Sequence, residues 1–412
     1  MKEKFLVINA GSSSLKFSLY EMPEKTELVN GYVEKIGSED SFYTLKYNGK
    51  KEEKAKVIKN HVDAVQTMLD ELLEKHFVES LDEIKGVGHR VLHGGEFYSD
   101  SVLIDDEVLE NIKALTKLGP LHHPGEIAGI ESMRELLPGI PEVAVFDTAF
   151  HQTMPEENYM YPVPYEWYSE YGVRKYGFHG TSHKYITKTM KEELGKEDPN
   201  LIICHIGSGA SISCIKDGKC YDTTMGLTPL DGLMMCTRSG SIDPSILEYI
   251  CKESGKDISE VTTLLNKKGG LIGITGYFDN RDVKNAAENG DKKSELALKM
   301  IKRSILNYIA QYYFELRGDV DAIVFTAGIG ENDIELREWL VNAMSNIMNI
   351  ELDKESNASI SRYKDKQRGI ITTPNSKTKV MVVPTDEETM ILEDTIRISN
   401  ETNKKDIKVL EK

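Results

Sequence analysis

The chain has 412 residues, enough for two or three domains with substantial cores, which excludes a miniprotein stapled by disulfides. Hydrophobic residues make up 40% and charged residues 29%, a balance that excludes a disordered or collagenous chain. Asp plus Glu number 67 against 51 for Lys plus Arg, so the formal charge of −16 repels nucleic acid and anionic membranes, and an anionic substrate has to meet clustered cations.

In chain order, Phe5-Leu6-Val7-Ile8 reads as a buried strand running into the polar turn Asn9-Ala10-Gly11-Ser12-Ser13-Ser14. Leu15, Phe17 and Leu19 then alternate with Lys16, Ser18 and Tyr20, so the chain leaves the turn as a second strand and forms a hairpin. The Lys/Glu-rich stretch 23–60 reads as solvated hairpins and loops, and Asp63 to Phe77 as a helix with Val65, Met68, Leu69, Leu72 and Leu73 on its apolar face. Gly88 to Gly95 places Arg90 at a strand end, and the strand from Pro141 to Phe146 ends in Asp147, which either caps a turn or serves a site.

His179 and His183 in Tyr176 to His183 have the spacing of a metal pair, yet the Glu of HExxH is missing and Gly180 intervenes, which disfavours zinc. The strand Leu201 to Ile206 runs into Gly207-Ser208-Gly209-Ala210-Ser211, continues as Ile212 to Ile215 and returns through an Asp217-Gly218 turn. This repeats the first hairpin about half a chain later and predicts two duplicated domains, each offering a Gly/Ser turn to a ligand between them. Arg238 sits in a polar loop, Glu295 to Leu316 reads as a helix, and Ala322 to Phe325 as a strand leading to Gly328-Ile329-Gly330-Glu331-Asn332. Apolar spacing at Leu336, Leu340, Ala343 and Met344 predicts a helix after that turn, which would put Gly328 to Asn332 at a helix N-terminus. The tail after Ser399 reads as solvated or frayed.

No Walker A string occurs, and Gly207-Ser208-Gly209 lacks the third glycine and the following helix of a dinucleotide fingerprint. Each Gly/Ser turn alone could be a plain hairpin turn; three together favour phosphate binding. Arg90 and Arg238 would each serve as a surface ion-pair partner or, gathered in one place, as bidentate donors to carboxylate and phosphoryl oxygens. Cys204, Cys214, Cys220, Cys236 and Cys251 lack CxxC spacing and predict reduced thiols in a cytoplasmic protein. The start, Met1-Lys2-Glu3-Lys4 and a short apolar run, predicts neither a signal peptide nor a membrane span.

The segments Asn9 to Lys16, His89 to Glu96, Phe146 to His151, Tyr176 to His183, Thr228 to Pro244, Gly328 to Asn332 and Pro384 to Glu388 together resemble the acetate kinase family, in its order and spacing and over nearly the whole chain. The resemblance implies an α/β fold of two duplicated actin-like (ribonuclease H-like) domains with a nucleotide cleft between them. The expected boundaries are 1–150 completed by 386–412, and 151–385 carrying most of the nucleotide site. It implies reversible, in-line transfer of the ATP γ-phosphoryl group to acetate, giving acetyl phosphate and ADP, in a homodimer with no nucleic-acid or membrane partner. Alternatives are a kinase for propionate or another short acid, a different phosphate donor, and a non-catalytic nucleotide-binding scaffold.

By motif, the resemblance assigns Mg²⁺, with Mn²⁺ as an alternative, to Asn9 and Glu387, and catalysis to Arg90, Asp147, His179 and Arg238. The nucleotide falls to Lys16, His205, Ile206, Gly207, Ser208, Gly209, Asp279, Asn280, Arg281, Gly328, Ile329, Gly330, Glu331 and Asn332, and the acyl group to Leu92, Leu121, Phe178 and Pro229, with Arg90 also on the substrate. Thr385 reads as a helix cap with Glu388 at the third position of the helix, leaving Glu387 for the metal. Ser208, Asp231, Cys236, Ser241 and the Pro120-Leu121-His122-His123-Pro124 string depart from the family pattern, which bears on donor preference.

Overall fold

The computed structural model describes residues 2–364 and 366–410, with side chains through 401. The chain divides into two compact units, Met1–Gln152 with Asp386–Lys412, and Thr153–Thr385.

In the first unit β1 (Lys4–Ala10), β2 (Ser14–Glu21), β3 (Thr26–Glu34), β4 (Phe42–Tyr47), β5 (Lys50–Ala55), β6 (Ile84–Val91), β7 (Val102–Leu103) and β8 (Glu142–Phe146) form one sheet in the order β5-β4-β3-β2-β1-β6-β8-β7. The β1/β2 hairpin is antiparallel and sets Asn9 opposite Lys16, whereas β1, β6 and β8 run parallel. Alternation along β1 decides its two faces. Leu6 and Ile8 join Leu15, Phe17, Leu19 and the Val65, Met68, Leu69 and Leu72 stripe of the helix His61–Glu74. Phe5 and Val7 join Val143, Val145 and the Ile391, Leu392 and Ile398 side of the final helix, Glu387–Leu410. Each such large apolar side chain contributes about 1.5–3 kcal/mol on burial.

The stretch 23–60 is more than solvated hairpins. Val29, Val33, Tyr43, Leu45 and Ile58 are buried in the same core, while β5 carries almost all of its side chains to solvent. Charged residues at the outward positions hide an inward face when composition is averaged over the segment. The helix His123–Leu136 packs on this sheet so closely that a Cβ on Gly125 would lie 2.3 Å from the Gly11 carbonyl oxygen, and His61 Nε2 lies 2.8 Å from that same oxygen. The glycine turn after β1 is thereby clamped from two sides.

In the second unit β9 (Leu201–Ile206), β10 (Ala210–Lys216), β11 (Lys219–Thr223), β12 (Ala322–Thr326), β13 (Gly369–Ile370) and β14 (Lys379–Val382) form a sheet in the order β11-β10-β9-β12-β14-β13. Each strand has a counterpart in the first unit's run β3-β2-β1-β6-β8-β7, with the same parallel centre and antiparallel hairpin. The fold is mixed α/β with the same strand order in both sheets, as duplication requires. Ile301, Ile305, Ile309 and Tyr312 bury one side of the long helix Lys292–Glu315.

Three sequence expectations change here. Gly328 to Asn332 do not precede a helix as a loop; they lie in a helix of their own, Ala327–Asn332, separated by Asp333 from the helix Ile334–Met348. On that second helix Ala343 is exposed, and the buried stripe runs through Leu336, Arg337, Leu340, Val341, Met344 and Met348. The final helix is capped by Asp386, whose Oδ1 accepts the Thr389 N–H at 2.9 Å, so the cap lies one residue beyond Thr385. Glu388 instead accepts from Ser18 Oγ at 2.7 Å and Tyr20 Oη at 3.0 Å. The backbone of the tail beyond Ser399 continues this helix to Leu410; its side chains from residue 402 lie outside the described residues. No described helix is long and apolar enough to cross a membrane.

Candidate active site

In the first unit, parallel pairing of β6 with β8 sets Arg90 beside Val145 and carries Asp147, just past the end of β8, to its guanidinium. Asp147 accepts from Arg90 Nη2 at 2.5 Å and from Nε at 3.3 Å, with 2% of its side chain exposed against 20% for Arg90. This engages one edge of the planar fork; Nη1 forms no hydrogen bond among the described residues. Asp147 is the main reason the Arg90 guanidinium titrates above its usual range, with Glu387 and Glu126 adding to it. Burial, reinforced by the Asp147 charge and opposed by Arg90, pushes the Glu387 carboxyl up to about 7.

In the second unit His179 stands before the helix Gly180–Leu194 with φ of 58°, a left-handed conformation that costs a non-glycine residue about 1–2 kcal/mol. Its ring is held in place: Nδ1 lies 2.9 Å from Ser211 Oγ, and its face stacks on His205 with centroids 4.2 Å apart. His183 Nε2 reaches the same Ser211 oxygen at 2.8 Å, so the spacing read as a metal pair brings two rings to one hydroxyl. His205 Nδ1 lies 2.8 Å from Ser182 Oγ, which in turn meets Thr385 Oγ1 at 2.6 Å. Burial pushes His205 down to about 4, so its ring is neutral near pH 7.

Gly209 brings the cation of this unit to that histidine. A Cβ built there would lie 3.3 Å from Arg238 Nη1 and 3.5 Å from His179 Nε2, so the bare glycine turn makes room for both donors. Arg238 is half-buried, and among the described residues its side chain forms no ion pair and one hydrogen-bond contact, Nη1 to Met235 Sδ at 3.8 Å. Burial lowers the pKa of its guanidinium. A desolvated cation without a counterion is costly, and the arrangement suits a bound anion.

Beside this turn lies a narrow recess. Ile206, Leu233, Met235, Ile301, Ile305 and Ile329 supply apolar walls; Asn280, Lys284, Lys302 and Asp333 supply polar edges. Such a slot suits a flat heteroaromatic base with a polar rim.

The sequence profile described as the acetokinase family matches residues 4–393. The chain belongs to the acetokinase family. It is 49% identical over 400 residues to the acetate kinase of Bacillus cytotoxicus, covering 96% of this chain and 99% of the relative. Among solved structures it superposes on Porphyromonas gingivalis acetate kinase with a TM-score of 0.90 at 42% identity, covering 96% and 99% of the two chains. A Francisella tularensis propionate kinase matches with a TM-score of 0.89 at 40% identity, over 96% and 100%.

Of the nucleotide residues expected from the acetokinase resemblance, Ile206, Gly207, Asn280 and Ile329 line the recess. His205 projects instead to the Ser182 and His179 side of β9. Asp279 caps the helix Asn280–Glu288 and pairs with exposed Arg281 at 2.6 Å. Glu331 is buried and accepts the Thr385 N–H at 3.2 Å, and Asn332 Oδ1 accepts from Ser361 Oγ and the Arg362 N–H. Gly328 and Gly330 belong to the short helix, and Gly207 and Ser208 shape the turn, Ser208 O accepting the Cys236 N–H at 3.2 Å. Lys16 is exposed on β2. Of the acyl residues, Leu92 and Phe178 are buried, Pro229 half-buried and Leu121 exposed.

Sequence reasoning missed Ser211, Lys284, Asp333 and Arg337. Lys284 pairs with Asp333 at 3.1 Å at the recess edge, and the fully buried Arg337 donates to the carbonyls of Gly330, Glu331, Asn357 and Ile360, which anchors the short helix. Arg337 falls on the apolar stripe of its helix, two turns of which would have flagged it.

For a metal, Asn9 and Glu387 offer hard oxygen donors, and no cluster of three His, Cys, Asp or Glu arranged for a metal occurs among the described residues. Such a sparse set fits Mg²⁺, which keeps most of its water and binds through one or two carboxylates and substrate phosphates.

Proposed function

We propose that this chain transfers the γ-phosphoryl group of ATP to acetate, giving acetyl phosphate and ADP, reversibly and by direct in-line attack. The observation that carries this reading is Arg238, a half-buried guanidinium without a carboxylate partner among the described residues, set with His179 against the Gly209 turn. Acetate is ionised at neutral pH, so its oxygen attacks phosphorus without a general base. The difficulty is charge: an anion approaches an anion, and negative charge spreads over the equatorial oxygens of the transferring group. Arg90, with one edge on Asp147, presents its other edge to the acetate carboxylate; Asp147 orients Arg90 rather than abstracting a proton. Arg238 and His179 donate to the phosphoryl oxygens, and the apolar recess takes the base of the nucleotide.

Leu92, Leu121, Phe178 and Pro229 are assigned to the acyl group, and Asn9 and Glu387 to Mg²⁺ or Mn²⁺, which when bound neutralises phosphate charge. Lys16, Asp279, Arg281, Gly328, Gly330, Glu331 and Asn332 stay in the nucleotide set, the last four by placing backbone rather than by side-chain contact. We place the protein in the cytoplasm, as a homodimer.

Acetate-dependent formation of hydroxamate from ATP tests the reaction; ATP binding without that product would replace it by a nucleotide-binding scaffold. Propionate is a second reading, favoured by the likeness to a propionate kinase structure. One methylene in an apolar pocket is worth about 1–3 kcal/mol, so profiling short acids separates preference from exclusion.

A further inference from the structure

The first turn of the helix His123–Leu136 holds two buried groups that the reaction does not use. Glu126 is 3% exposed, and its Oε1 accepts the Leu92 backbone N–H at 3.1 Å, two residues beyond Arg90. Its Oε2 and His123 Nε2 lie 3.9 Å apart, and neither has a hydrogen-bond partner among the described residues. His123 is fully buried, with Nδ1 3.0 Å from the Ile112 carbonyl oxygen, so Nδ1 carries the proton and donates, and Nε2 is a bare acceptor facing a carboxyl oxygen. A carboxylate and an imidazole lone pair repel in that arrangement. One proton on Oε2 removes that repulsion and lets the two atoms close from 3.9 Å to donor–acceptor distance.

We propose that Glu126 is a positioning residue: a proton on Glu126 Oε2, turned toward His123 Nε2, keeps the end of β6 in place, and its loss weakens the grip of Arg90 on the substrate carboxylate. This rests on the assignment of Arg90 to acetate. The charged groups facing Glu126 are Arg90 on β6 and Asp147 beyond β8, with His123 on its own helix, and Glu387 faces Arg90 from the final helix. Burial pushes the Glu126 carboxyl up to about 7, opposed by Arg90 and the Leu92 N–H and aided by Asp147, while burial lowers His123. Ionised Glu126 adds an anion to the surroundings of Arg90 and competes electrostatically with acetate for its field.

The test measures KM for acetate and kcat from about pH 6 to about pH 8 in the full-length protein and in E126Q, which keeps an acceptor for Leu92 and a fixed donor for His123. The native KM rises by ~3–10-fold more across that range than the KM of E126Q, with kcat at low pH alike in the two. Infrared spectra show a protonated-carboxyl band near pH 6 that E126Q lacks and that H123Q shifts. The same pH dependence of KM in E126Q and native protein, or a band that neither substitution alters, overturns the proposal. If E126Q does not fold, the band in H123Q against the native chain decides alone. Infrared titration needs no turnover, so absence of acetate kinase activity and absence of the shared proton are separate results.

Discussion

Replacing Asp147 by Asn tests how Arg90 is held. The native carboxylate takes two bonds from the guanidinium, at 2.5 Å from Nη2 and 3.3 Å from Nε. D147N preserves the size and one acceptor but removes the charge and turns the other oxygen into an N–H that meets an N–H. A hydrogen bond to a charged group contributes ~1.5–3 kcal/mol, so Arg90 loses about 2 kcal/mol of fixation. If that loss is felt in full at the transition state, kcat/KM for acetate falls ~30-fold. Steady-state kinetics with acetate varied at saturating ATP reads it, and KM for ATP stays within ~2-fold because the recess proposed for the nucleotide is lined by other residues. The Asp147 charge also raises Glu387, so the acid side of the pH profile moves to lower pH in D147N. A folded D147N with kcat/KM for acetate within ~3-fold of the native value would refute this account of Arg90.

R238A removes the cation beside Gly209 and His179 and lowers kcat by ~10²–10⁴, as loss of an oxyanion donor does; unchanged turnover takes Arg238 out of the mechanism. G209A needs no unusual backbone angle, and its Cβ would touch His179 at an ordinary 3.5 Å but press Arg238 Nη1 at 3.3 Å, so the guanidinium shifts by a few tenths of an ångström and kcat drops only ~3-fold while equilibrium nucleotide binding holds. His205 titrates at about 4 in the folded chain against an ordinary value of 6.5, so its contribution to stability is complete above about pH 6.5 and is lost as pH falls toward about 4, by up to about 3 kcal/mol. Urea unfolding at several pH values shows that loss, and H205Q flattens it; equal acid sensitivity in the two proteins would show that the ring is not held neutral.

Legibility in the sequence followed the range of the signal. Strand alternation around Phe5 and Leu201, the polar turns at Gly11 and Gly207 and the helical stripe from Val65 to Leu72 are written within a few residues of one another, and a period of two or of 3.6 follows from backbone geometry alone. The duplication was legible for the same reason. The stretch 23–60 misled because averaged charge conceals alternate burial, and the Asp386 cap because Thr385 and Asp386 are both good cap residues, with Thr385 drawn to Ser182 instead. What no local pattern contains is the partner. Arg90 meets Asp147 across 57 residues of chain because parallel strands bring their ends together, and Glu126 meets Leu92 because a helix packs beneath that end. The order of residues along the chain thus determined its strands, turns and candidate cations, whereas tertiary packing alone decided which cation is paired, which is left for an anion, and which carboxyl is buried deeply enough to keep its proton.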